Sequence, residues 1–189
     1  MDPSNQFRLV IRSLESSYKL LWNILTLSLF VMLYSVYSAS SVWDPEHPLP
    51  PASPAYYILA IVFLGIFCWL QGSLFSNRKF KEELNAKADI KELARNKQTG
   101  KVDTDLLIKI RNLDDVELKT FTFFSRSFNR FVISLVLSNL IALCGLLKAY
   151  AEQNTYTVLP FILLSLVINF IIFPRVFKLY NRVFKVMNA

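Results

Sequence analysis

Charged side chains divide this 189-residue chain into four uncharged runs. Residues 20–43 hold no charge over 24 positions, 56–77 over 22, 131–147 over 17 and 153–174 over 22. A helix needs about 20 consecutive, mostly apolar residues to cross the hydrocarbon core of a bilayer. The runs therefore predict four transmembrane helices, over 18–41, 55–77, 128–150 and 156–175. Lys148 closes the third run and has a stem long enough to reach the interface. Composition agrees: 53% of residues are hydrophobic and only 19% are charged, against about 25% charged in a soluble domain. A chain this apolar has no difficulty burying surface, which excludes disorder. The first run is too long for a cleavable signal peptide, and no small-residue cleavage site ends it.

The direction of threading follows from the basic residues. Twenty of the 21 lie before the first run, between the second and third, or after the fourth; only Lys148 lies elsewhere. This is the positive-inside pattern. It places both termini and the central loop on the cytoplasmic side of a bacterial inner membrane or an organelle membrane. The other side receives a proline-rich loop at 42–54, with Asp44, Glu46 and His47, and a short loop at 151–155. Tyr34, Tyr37, Trp43, Tyr56, Tyr57, Tyr150 and Tyr156 fall at that boundary, as an aromatic belt does. The formal charge of +7 is thus a topology signal. The central loop sets 13 basic residues against nine acidic ones, so it has no dense basic patch and no nucleic-acid partner is expected.

The expected fold is an all-α integral membrane protein: four transmembrane helices arranged as two hairpins, with amphipathic cytoplasmic flanks at 1–17 and 176–189. In the first flank Arg8, Arg12 and Lys19 form a polar stripe beside Phe7, Val10, Ile11, Leu14 and Tyr18. In the second, Arg175, Lys178, Arg182 and Lys185 alternate with Val176, Phe177, Leu179, Tyr180, Val183 and Phe184. Both sets of basic residues are candidates for contact with lipid head groups, the alternative being flanks that pack on the chain's own cytoplasmic part. The segment 78–127 reads as a cytoplasmic helical hairpin. The second span continues into it, because 76–97 is rich in Lys, Glu, Ala and Leu. Gln98-Thr99-Gly100-Lys101 breaks the helix, and Asp103 or Thr104 caps a return helix. That helix carries Leu106, Leu107, Ile110 and Leu113 as a thin apolar stripe for a docked partner. Asn112, Asp114 and Asp115 are placed to cap one further turn.

Chemistry is hard to find in this sequence. No ionisable side chain lies in the core of any run, which argues against proton-coupled transport, ion pumping and voltage sensing. There is no GxSxG, HExxH, Walker A or CxxC motif, His47 lacks enough companions to hold a metal, and neither Cys68 nor Cys144 has an assignable partner. No catalytic, metal or cofactor-binding residue is predicted, and no cofactor. What the runs do contain is amides: Asn23, Gln71, Asn139 and Asn169, all placed in the inner half of the bilayer. They form either a polar cavity or a set of bonds between helices. Ser138, Ala142, Gly145 and Ala149 make a small-residue face on the third helix, and Gly65 and Gly72 share a face of the second. Phe121, Phe123, Phe124, Phe128 and Phe131 are expected to anchor the third helix at the interface.

These features favour a non-catalytic membrane subunit or scaffold, surrounded by lipid and paired with another membrane protein or with itself. An oligomeric channel or carrier lined by the amides is an alternative, and so is a membrane-shaping or lipid-binding hairpin protein.

Overall fold

A computed structural model describes residues 3–43, 53–86, 90–94 and 102–188, apart from the side chains of residues 73, 74 and 92. Most of these residues are helical, and none lies in a strand. In order the helices are α1 (Asn5–Ser40), α2 (Ala55–Leu70), α3 (Gly72–Phe75), α4 (Asn77–Asn85), α5 (Ile90–Leu93), α6 (Thr104–Arg111), α7 (Asp115–Glu152), α8 (Leu159–Ile172) and α9 (Val176–Met187). A 3₁₀ turn, Thr155–Val158, precedes α8. Most of the proline-rich loop, with Asp44, Glu46 and His47, lies outside the described residues, as does the Gln98–Lys101 break.

Among the described residues three helical stretches are long and apolar enough to cross a membrane: Asn5–Ser40, Asp115–Glu152 and Thr155–Ile172. The second run forms the shorter α2, of 16 residues. Its predicted continuation is corrected by two breaks. Gln71 leaves helical geometry at φ −95°, ψ 18°. Ser76 is extended, and its hydroxyl accepts from the Lys79 N–H at the start of α4. Helix propensity is a weak prior, and a side chain that caps a new helix overrides it.

α7 departs from expectation in the other direction. Where the sequence suggested one further turn, a helix of 38 residues begins. The Asp114 side chain accepts from the Val116 N–H at 3.1 Å, and Glu117 reaches back to the Asp114 N–H at 3.4 Å. This is a capping box. No Gly or Pro follows before Gly145, so nothing in the backbone stops the helix from running on into the third apolar run.

The chain divides into two compact units. The first comprises 1–19, 72–129 and 174–189, and the second 20–71 and 130–173. In the first, Phe80, Leu84, Phe123 and Val183 form a buried cluster, joined by Val116, Leu179, Val186 and Met187. Phe7 packs on Tyr180, and Tyr18 stacks on Phe124 with ring centroids 4.4 Å apart. The Tyr18 hydroxyl donates to the Phe124 carbonyl at 2.7 Å. Phe121, Phe123 and Phe124 are buried within the chain. Phe123 turns toward Phe80 and Val183, while Phe124 turns toward Tyr18.

In the second unit the core is built by α1, α7 and α8. Leu29 and Val36 of α1 pack with Ala142 and Ala149 of α7, Ile162 of α8 and Val158. α2 adds Tyr57, which stacks on Phe161 at 5.3 Å. The turn from α7 to α8 places Gln153 at φ 51°, and the Asn154 N–H donates to the Ala149 carbonyl at 3.0 Å. That pairing closes the helix end in the manner of a Schellman motif. At the far end of α8, Pro174 holds Phe173 in extended geometry and ends the helix.

Candidate functional site

Within the second unit, the small residues of α7 let α8 approach closely. The Ser138 hydroxyl donates to the Ser165 carbonyl at 2.9 Å, and the Ser165 hydroxyl donates to the Ser138 carbonyl at 2.7 Å. Two turns along, a methyl group on Gly145 would lie 2.5 Å from the Phe161 Cβ. Ala142 and Ala149 are fully buried. The α7 face thus meets another helix of its own chain. The second helix behaves differently. Gly65 faces open space, and Gly72 lies beyond the end of α2 beside the Lys79 side chain. The two do not share a face of one helix, because the break at Gln71 separates them.

Three of the four amides are engaged. Gln71 donates to the Ser134 hydroxyl at 2.8 Å and to the Arg130 carbonyl at 3.4 Å. The Asn139 Oδ1 accepts from Ser28, and its amide nitrogen donates to the Leu135 carbonyl at 3.0 Å. Asn169 is fully buried, donates to the Thr26 hydroxyl at 3.0 Å, and accepts the Trp22 indole N–H on its backbone carbonyl at 2.9 Å. Its Oδ1 has no hydrogen-bond partner. Asn23 sits apart, exposed on α1. Gln71, Asn139 and Asn169 are thus each hydrogen-bonded to a side chain of another helix. In an apolar environment such bonds are worth about 0.6 kcal/mol each on average.

Lys148 is a residue whose setting the sequence did not reveal. It is buried, bonds Glu152 one turn along, and holds its ammonium 4.9 Å from the centre of the Tyr57 ring. Glu152 also accepts from the Thr157 hydroxyl at 2.9 Å. The ammonium is held between partners from α2 and α7. Only the Lys-x-x-x-Glu spacing hinted at this.

In the first unit the apolar faces of both flanks are largely covered, with Phe177 left 52% exposed. Phe7, Val10, Ile11 and Tyr18 of α1 are buried, as are Val176, Tyr180 and Val183 of α9. Arg8, Arg12, Lys19, Arg175, Lys178 and Lys185 stay exposed, with Lys19 paired to Glu15 at 2.7 Å. Arg182 belongs to a different setting: it donates to the Asn77 side chain at 2.9 Å and lies 4.1 Å over the Phe80 ring. Burial lowers its guanidinium pKa from the ordinary value. Among the proposed docking residues, Ile110 and Leu113 are buried in the chain, while Leu106 and Leu107 are half-buried. Ile108, between them, is 58% exposed.

No His, Cys, Asp and Glu side chains converge in threes among the described residues, and Cys68 and Cys144 are unbridged. Comparison with protein-family models, curated proteins and solved structures finds no match to the chain.

Proposed function

We propose that this chain is a non-catalytic integral membrane subunit or scaffold. In this reading four helices cross the membrane as two hairpins, with both termini and the 78–127 segment on the cytoplasmic side. The observation that carries it is the use of polar groups in the second unit. Ser28, Gln71, Ser134, Ser138, Asn139 and Ser165 are all occupied in bonds within the chain, which is the economy of a packing protein. α2 serves as the fourth crossing. Its 16 residues reach about 24 Å, a length a bilayer accommodates by thinning and by flanking residues that snorkel.

The cytoplasmic partner docks on the exposed side of α6, through Ile108 with help from Leu106 and Leu107. A photo-crosslinking side chain at Ile108 in native membranes is expected to yield one adduct of defined mass. The same group at the buried Ile110 should yield none. Absence of any adduct from Ile108, Leu106 and Leu107 sinks the docking assignment.

A second reading, an oligomeric channel or carrier, draws support from the unpartnered Oδ1 of Asn169. It requires solute flux through liposomes of the pure protein, lost on Asn169→Leu. The burial of Phe7, Val10, Ile11, Tyr18, Val176, Tyr180 and Val183 within the chain weighs against a lipid-inserting, membrane-shaping role.

A further inference from the structure

α1 carries a second, unused face. Leu20, Asn23, Leu27, Phe30, Tyr34 and Tyr37 follow one another at spacings of 3, 4, 3, 4 and 3, and all six are exposed. That is the a/d pattern of a helix seam. The membrane-crossing window of α1 is only 17% buried within the chain, against 56% for α7 and 39% for Thr155–Ile172. Apolar residues in such a stripe are at home in lipid. Asn23 is not: its amide makes no hydrogen bond among the described residues, and hydrocarbon offers it none. Lys19, one turn earlier, has a stem that reaches head groups. The short Asn side chain lacks that reach.

We propose that α1 pairs with the α1 of a second copy of this chain, with Asn23 hydrogen-bonded to Asn23 across a two-fold axis. The inference rests on the membrane-subunit reading and names its partner. Every copy of one chain enters the membrane in the same direction, so two α1 helices are parallel and their Asn23 residues share one depth. A carboxamide is both donor and acceptor, so each of two can donate one hydrogen bond to the other's oxygen. A foreign helix has to supply a matching polar group at that depth; a second copy supplies it by symmetry. One polar residue in an apolar seam also sets register, since any slip leaves both amides unpaired.

The test uses the purified full chain in liposomes at decreasing protein-to-lipid ratio, with dimer fraction read by single-molecule photobleaching. Wild type should dimerise, Asn23→Gln should stay within about twofold of it, and Asn23→Leu should weaken the dimer about tenfold, the worth of two intramembrane hydrogen bonds. In a Cys68→Ser, Cys144→Ala background, cysteines at Leu27 or Phe30 should form disulfide-linked dimers, and one at Leu163 on α8 should not. A monomer at every density, an Asn23→Leu variant that associates like wild type, or equal crosslinking from Leu163 overturns the proposal. The Ile108 adduct in native membranes separates the two ideas. Retained adduct with no dimer overturns only the α1 pairing, and a dimer without adduct overturns only the docking.

Discussion

Ser138 on α7 and Ser165 on α8 each donate a hydrogen bond to the other's backbone carbonyl, at 2.9 and 2.7 Å. Both residues are fully buried. Such a reciprocal pair is possible only where two backbones come very close, and Gly145 makes that approach possible two turns further on. The pairing accounts for the small-residue face of α7 without a partner from outside the chain.

Gly145→Ala should therefore be costly. Its methyl group would meet the Phe161 Cβ at 2.5 Å, and overpacking of this kind costs about 1–3 kcal/mol. Gly65→Ala, into open space, should be neutral or slightly stabilising. Unfolding of both variants in mixed micelles, followed by circular dichroism, gives the comparison; equal effects would sink the packing argument.

Lys148 and Glu152 should behave as a buried pair, their side chains being only 6% and 12% exposed. Lys148→Met alone takes away the ammonium bonded to the Glu152 carboxylate and should cost about 3–5 kcal/mol. The double variant Lys148→Met, Glu152→Met should recover most of that loss. A double-mutant cycle with no coupling energy rules the pair out as a structural unit.

Glu117 joins two helix starts. One carboxylate oxygen accepts from the Ser4 N–H at 2.7 Å, before α1, and the other from Asp114, before α7. Glu117→Gln keeps the shape but weakens both bonds, and about 1 kcal/mol of helix-start stability should go with each. Amide exchange near Phe7 and near Val116 should accelerate together. If only one site responds, the shared cap is wrong.

Gln153 occupies left-handed geometry at φ 51°, which costs an L-residue roughly 1 kcal/mol that glycine avoids. Gln153→Gly should raise the thermal midpoint in detergent slightly, offset in part by the greater freedom of the unfolded chain. A fall in midpoint counts against this turn geometry.

Parts of this molecule were readable one residue at a time. Asp103 caps α6 through the Leu106 N–H at 3.0 Å, and a capping side chain acts on amides two or three positions away. The break at Gln71 was not readable, because no local residue compels it; the amide's partner, Ser134, is 63 positions away. The same holds for Ile110 and Leu113. Their spacing marked an apolar face, and only the fold could supply the chain's own core as its cover.

Charge placement by itself determined that this chain is helical and where its apolar runs lie. In lipid each backbone N–H and C=O has to be satisfied within the segment, so a long uncharged run leaves a helix as the answer. Which face of each helix meets which neighbour was decided by tertiary structure alone. Ser28 meets Asn139 across 111 positions, and Trp22 meets Asn169 across 147. In a lipid-like setting all apolar faces are nearly equivalent, so the choice among them falls to shape and to a few hydrogen bonds. Those become visible only when the helices are side by side.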